Sequence, residues 1–234
     1  MNLSMRGIVK SFGANDVLKS VDFSLKGGEV CALLGENGAG KSTLMNILGG
    51  VLQADAGTIE LDGRPVQFHT PHQSLEAGIA FIHQELNLIN DLPVYENMFI
   101  GRELKKKSGL LDHKEMIRQT QQLFDEMGLD ISPRAMVSSL DASYKQIVEI
   151  SRALMMKASL IIMDEPTTSL TDPEIERVFD MLRTLKAQQV GVVFISHKLR
   201  EVMEICDRYT VLRDGVVVAD GRVEDTTISQ LACD

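Results

Sequence analysis

An α/β fold with a mixed sheet, an antiparallel edge sheet and an inserted helical subdomain is what this sequence predicts, on three observations. Short continuous apolar runs alternate with helical spacing before about residue 85 and after about residue 159. Between them, over about residues 86–158, the pattern turns helical, as an insertion into an α/β core would. Finally, Gly35-Glu36-Asn37-Gly38-Ala39-Gly40-Lys41-Ser42-Thr43 fits G-x-x-x-x-G-K-[ST] without a mismatch and sits between an apolar run and a helical one. That context makes it a phosphate-binding loop and the surrounding elements a P-loop NTPase core.

Taken in order, Val21, Phe23 and Leu25 alternate with Asp22, Ser24 and Lys26 as in a half-buried strand. Before it, Phe12 lies in Lys10-Ser11-Phe12-Gly13, which reads as a loop; an exposed ring there can stack on a base, although a lone Phe is more often core. Val30–Leu34 suits a buried parallel strand and Thr43–Leu48 a helix stopped by Gly49-Gly50. The glycines between them let backbone N–H groups and the helix N-terminus converge on phosphate oxygens. Lys41 adds a full charge at the β/γ-phosphates and Ser42 a hydroxyl for Mg²⁺. The loop alone leaves kinases, GTPases and ATPases open.

Residues 57–66 read as a hairpin turning at Asp62-Gly63, and 210–218 as another turning at Asp214-Gly215. Ile79–Ile82 is a short strand ending at His83-Gln84-Glu85, polar side chains where an α/β sheet presents its chemistry. In the helical stretch, Asp112-His113-Lys114-Glu115 reads as a capping box ahead of an apolar stripe of Met116, Ile117, Leu123, Phe124 and Met127. A second helix carries Ile147, Val148, Ile150, Ser151 and Leu154, with Pro133 and Val137-Ser138-Ser139 marking connections.

The core resumes with Leu160–Met163, a strand that ends in Asp164-Glu165-Pro166. Four apolar residues before Asp164 match the strand that brings a carboxylate to Mg²⁺ in P-loop ATPases, and Glu165 can orient and deprotonate an attacking water. Asp172 is expected as the N-cap of the next helix with Pro173 as its first residue, and Ile175, Val178, Phe179, Leu182 and Leu185 as its buried face. Val190–Ile195 then delivers Ser196-His197 to a strand end; a lone histidine there is more often structural than a phosphate contact.

Composition narrows the class. Lys+Arg 24 against Asp+Glu 33 gives −9, which argues against non-specific nucleic-acid binding, and Lys105-Lys106-Lys107 reads as a solvated loop. No apolar stretch reaches membrane-span length and no signal peptide is recognisable, so a soluble, cytosolic chain is expected. Cys31, Cys206 and Cys233 lack metal-ligand spacing and read as reduced structural thiols; the five histidines form no ligand cluster.

The P-loop, Gln84, the helical insertion, Asp164-Glu165 and His197, in that order over essentially the whole chain, resemble the ATP-binding subunit of an ABC transporter. The resemblance implies ATP and Mg²⁺ as cofactors, with Phe12 stacked on adenine and Gly35 to Thr43 around the phosphates. It implies Ser42, Gln84 and Asp164 at Mg²⁺, Lys41 and Glu165 in catalysis, Gln84 also at the attacking water, and His197 on the γ-phosphate. Ser169-Leu170-Thr171-Asp172 resembles the D-loop that crosses to a second ATPase domain. More narrowly, residues 78–88, 96–103 and 161–167 resemble the N-terminal half of bacterial sugar importers of the ribose, galactose and xylose kind. That implies a single ATPase domain (core 1–85 and 159–234, helical subdomain about 86–158) expected to be a fragment of a two-half protein. The implied partners are a second ATPase half, membrane-spanning permease subunits and, indirectly, a sugar-binding protein, with no nucleic acid. The implied location is the cytoplasmic face of the membrane, peripherally. The alternative is a regulatory or scaffold module that binds nucleotide with negligible turnover.

One motif departs from the family. Its Leu-Ser-Gly-Gly-Gln signature falls on Leu140-Asp141-Ala142-Ser143-Tyr144, where the serine, both glycines and the glutamine are replaced. In the family this loop takes the γ-phosphate held by the opposite domain, so Asp141 is expected to bring a like charge towards it. Two such charges about 4 Å apart repel by roughly 1 kcal/mol in water and about 4 kcal/mol at an effective dielectric of 20.

Overall fold

The computed structural model describes residues 1–232 and divides them into two compact units. The first comprises 1–84, 158–166 and 185 onward, the second 85–157 and 167–184. Residues 167–184 therefore group with the helices, whereas the sequence reading counted them with the core. Cys233 and Asp234 lie outside the described residues.

The first unit is built on two sheets. Strands β1 (Leu3–Phe12), β2 (Asn15–Leu25), β4 (Ala56–Leu61) and β5 (Arg64–Val66) form an antiparallel sheet in the order β2-β1-β4-β5. The second sheet runs β10-β9-β3-β8-β7-β6, from β3 (Val30–Leu34), β6 (Ile79–Ile82), β7 (Leu160–Asp164), β8 (Gly191–Ile195), β9 (Arg208–Arg213) and β10 (Val216–Arg222). Five of its strands are parallel and β10 closes the edge antiparallel, so the sheet is mixed. β3 and β8 are buried throughout, which explains their unbroken apolar runs: a strand covered on both faces has no solvent side to mark with polar residues. Leu3, Met5, Ile8, Val21, Phe23 and Leu25 of the antiparallel sheet join Cys31, Leu33, Val193 and Leu212 of the mixed one in a single core.

Both hairpins turn at Asp-Gly as expected. Asp62 and Gly63 have φ 49° and 75°, Asp214 and Gly215 have 49° and 78°, the positive angles that match the twist of the flanking strands. The short helices α1 (Lys41–Leu48), α2 (Pro71–Glu76), α7 (Leu199–Ile205) and α8 (Ile228–Leu231) complete this unit. Phe12 corrects its expected loop setting: it is the last residue of β1, paired with Asn15 across the Gly13-Ala14 turn, and its ring is 48% exposed beneath the Lys10 ammonium.

In the second unit α3 (Val94–Met98), α4 (His113–Glu126) and α5 (Ala142–Met155) pack on one another, and α6 (Asp172–Ala187) belongs with them as far as Thr184. Met116, Phe124 and Met127 are buried as expected, with Thr120 among them and Ile117 and Leu123 half-buried. The capping box at α4 forms only by half. Asp112 accepts from the Glu115 N–H at 3.1 Å, but the Glu115 carboxylate turns to Arg118 and Gln119, and the Asp112 N–H goes to the Leu104 carbonyl. At α6 the cap lies one residue earlier than expected. The Thr171 carbonyl accepts the first helical bond from Ile175, and the Glu174 carboxylate reaches back to the Thr171 N–H at 2.9 Å and hydroxyl at 2.8 Å. Pro173 is thus the second helical residue.

Candidate functional site

Parallel strands end together, and here four of them end in polar residues. Register pairs Leu33 with Ile195, Ile195 with Asp164, and Met163 with Ile82. The loop after β3, Asp164-Glu165 after β7, Ser196-His197 after β8 and His83-Gln84 after β6 therefore leave the sheet along one edge.

The loop is shaped by close approach as much as by flexibility. Gly35 has φ 146°, and a Cβ there would sit 2.3 Å from the Leu212 carbonyl oxygen; Gly40 has φ 110°, with Leu18 Cδ2 2.7 Å from a Cβ. The β9–β10 hairpin holds the loop from the other side, the Gly215 N–H donating to the Ala39 carbonyl at 3.1 Å. Gly40 caps α1 in a left-handed conformation, so the first-turn amides of Lys41, Ser42 and Thr43 open towards the loop interior. The Lys41 ammonium folds back onto the loop and donates to the Gly35 carbonyl and, at 3.0 Å, to that of Glu36. Burial lowers its pKa against the upward pull of Glu165 and Asp164. Glu36, Asn37 and Gly38 form the exposed crest of the loop, and Ala39 is buried beneath it.

Asp164 ends β7 half-buried, and its carboxyl pKa is raised by burial and then by the neighbouring Glu165, with His83 and Lys41 pulling the other way. Glu165 turns sharply out of the strand: φ is 48°, its N–H donates to the Ile195 carbonyl at 2.9 Å, and its Oε1 meets His197 Nδ1 at 2.9 Å. The two catalytic candidates are thus one hydrogen-bonded pair, with the His197 side chain 70% exposed. Gln84 lies exposed two residues past β6, and the His83 ring stacks on Phe81 with centroids 5.6 Å apart. Ser42, Asp164 and Gln84 each carry a side-chain oxygen, the donor type a hard cation takes. Among the described residues no cluster of three or more His, Cys, Asp or Glu side chains could hold a metal by itself. A cation held by one carboxylate, a hydroxyl and phosphate oxygens fits both observations.

The altered signature behaves differently from its sequence reading. Asp141 is the N-cap of α5: its Oδ1 accepts from the Tyr144 N–H at 2.9 Å and the Ser143 hydroxyl at 2.8 Å, and its Oδ2 takes the Arg177 guanidinium at 2.7 Å. Arg177 also donates to Ser143 Oγ at 2.8 Å and lies 4.5 Å from the centre of the Tyr144 ring. Partial burial pushes the Asp141 pKa up, and Tyr144, Ser143 and Arg177 together hold it below the usual carboxylate range. The bare-charge repulsion expected from the sequence is corrected by Arg177, which cancels the charge at contact distance. Asp141 instead takes the Tyr144 N–H, the Ser143 hydroxyl and the Arg177 guanidinium for itself.

Arg177 escaped sequence reasoning because it lies on another helix, 36 residues away. Glu149 and Asn97 also escaped it, although a carboxylate inside the apolar run Ile147-Val148-Glu149-Ile150 was a visible signal. Both are buried, at 3% and 0% exposure.

The family model described as ABC transporter matches residues 18–168. The ribose import ATP-binding proteins RbsA of Bacillus licheniformis and Lacticaseibacillus paracasei are 47% and 45% identical to the chain. The matches cover 99% and 100% of this chain but 47% of each relative, so the chain spans about half the length of the curated relatives it matches. A nucleotide-free ATP-binding cassette from an ABC transporter superposes with a TM-score of 0.85 at 27% identity, over 100% of this chain and 96% of its own. The ADP conformation of another such cassette gives 0.84 at 26%, over 100% and 99%.

Proposed function

This chain belongs to the ABC transporter family, and from that premise we propose that it is an ATP-binding and ATP-hydrolysing motor domain of a bacterial sugar importer, of the ribose kind. The observation that carries the reading is the convergence of Lys41, Asp164 and the Glu165–His197 pair on one edge of the mixed sheet. The loop amides from Gly35 to Thr43 and the Lys41 ammonium hold the β- and γ-phosphates, and Phe12 stacks on adenine. Ser42, Asp164 and Gln84 would hold Mg²⁺, which would neutralise phosphate charge when bound. Glu165 takes the proton of the attacking water, and His197 steadies the γ-phosphate and aligns Glu165 through their shared hydrogen bond.

The partners in this reading are a second ATPase half, permease subunits at the cytoplasmic face of the membrane and a sugar-binding protein. Relatives about twice as long as this chain support the second half. No helix among the described residues is long and apolar enough to cross a membrane, in keeping with a peripheral motor. The sealed network at Asp141 supports an asymmetric pair: this chain's own phosphate site is complete, whereas the partner site that faces α5 is poorly served. The intact Glu165–His197 pair speaks for turnover over a purely regulatory module.

The test is Glu165→Gln in the full protein. Single-turnover hydrolysis should fall by about 10²–10⁴-fold, with ATP affinity retained, and loss of the partner half's equivalent acid should cost far less. Equal losses would sink the asymmetry, and unchanged hydrolysis in Glu165→Gln would remove Glu165 from the mechanism.

A further inference from the structure

Gln84 is the last residue of the first unit and Glu85 the first of the second, so the peptide leaving β6 is itself a link between them. Over residues 86–89 that peptide has no helix or strand geometry, a state normally associated with slack. Its backbone is nevertheless held at alternate residues by buried side chains. The Asn87 N–H donates to Glu149 Oε1 while Arg152 donates to the Asn87 carbonyl at 3.3 Å, and Arg152 pairs with the same Glu149 oxygen at 3.3 Å. Two residues on, Asn97 repeats the pattern: its Oδ1 accepts from the Ile89 N–H at 2.8 Å and its Nδ2 donates to the Ile89 carbonyl at 3.0 Å. Asn97 Nδ2 also reaches the Leu92 and Pro93 carbonyls. Lys145 of α5 holds the Asn90 side chain at 3.0 Å, and the Ser138 and Val137 N–H groups take the Asn90 and Leu92 carbonyls.

A carboxylate at 3% exposure inside an apolar helix face is costly unless it is fully used. Here its use is to grip a backbone. Glu149 with Arg152 at Asn87, and Asn97 by itself at Ile89, do for this segment what a neighbouring strand would do in a sheet, holding both the N–H and the C=O of one residue.

We propose that Glu149 and Asn97 are positioning residues that stiffen the chain leaving Gln84, so that a shift of Gln84 at the phosphate site reaches α5 instead of being absorbed. The first grip falls at Asn87, with only Glu85 and Leu86 between it and Gln84. The stiffening follows from the contacts themselves; its use in passing on nucleotide state rests on the ATP reading above.

The experiment is amide hydrogen exchange on the full protein with and without Mg·ATP, beside ATP binding and steady-state kinetics. In Glu149→Ala the Asn87 and Ile89 amides should exchange at least about tenfold faster without nucleotide, and the ATP-induced change in α5 exchange should vanish. ATP affinity should stay within about twofold while kcat falls at unchanged KM. Glu149→Gln, which keeps an acceptor for the Asn87 N–H, should recover most of the loss. If Glu149→Ala does not fold, Asn97→Asp carries the same test, since it keeps the acceptor for Ile89 and deletes the donor to the carbonyls. Unchanged exchange over residues 87–92 overturns the stiffening. Faster exchange there with the ATP response of α5 intact overturns the transmission. Failure of the native protein to bind Mg·ATP overturns the nucleotide reading and the transmission with it, while the grip still registers in the nucleotide-free exchange.

Discussion

Asp164 and Glu165 are adjacent carboxylates at a strand end, and burial first, then the charge of Glu165, raises the pKa of Asp164. The folded state therefore binds the Asp164 proton more tightly than the unfolded chain does. Stability from this group is present at low pH and is lost as pH rises from its ordinary value of 3.8 through the higher folded value. Without Mg²⁺, Asp164→Asn should raise the melting temperature at neutral pH and flatten its dependence on pH in that acidic window. The same variant should lose Mg²⁺-dependent ATP binding, so thermal unfolding with and without Mg·ATP checks both. An Asp164→Asn protein no more stable than the parent at neutral pH would show that the carboxylate is not under electrostatic stress. Asp141 sits at the opposite end of the scale, its charge spent on Tyr144, Ser143 and Arg177.

Among the elements, the phosphate loop is a strand-to-helix connection pressed against the β9–β10 hairpin. Its glycines differ in what they permit. Gly35 has no room, with the Leu212 carbonyl 2.3 Å from any Cβ, whereas Gly38, at φ 86°, faces open space. Gly38→Ala should cost about 1–3 kcal/mol of backbone strain and leave the fold intact. Gly35→Ala must displace either the loop or β9, and should abolish ATP binding in equilibrium titration and lower stability further in denaturant unfolding. Equal effects of the two substitutions would mean that conformation alone, and not the close approach to Leu212, governs the loop. The other elements were legible to different degrees. The buried strands β3, β7 and β8 and both Asp-Gly hairpins stand out in the sequence because burial on two faces and positive φ each demand a narrow set of residues. β1 was hidden: Leu3, Met5 and Ile8 fall out of strict alternation where its register shifts between Met5 and Val9. The short α3 and α7 were hidden as well, since five to seven residues carry too little periodicity to announce a helix.

For the whole molecule, the proposed motor function together with the self-satisfied start of α5 sets the expectation that one chain by itself binds nucleotide well and hydrolyses it poorly. This chain alone should bind Mg·ATP with its turnover per molecule rising with protein concentration, as self-pairing supplies an imperfect second wall. Addition of the second half should raise turnover further. Hydrolysis measured across a dilution series decides this, and brisk turnover independent of concentration would contradict it.

By itself the sequence determined the phosphate loop, the strand ends that carry Asp164-Glu165 and His197, and the family, because each depends on residue types at short fixed spacing. Only the tertiary structure decided that Glu165 and His197 form one hydrogen-bonded pair, that Arg177 neutralises Asp141, and that Glu149 and Asn97 grip the chain after Gln84. Those pairings join residues brought together from separate stretches, and a charge or a buried amide does not carry in the sequence the identity of the partner that satisfies it.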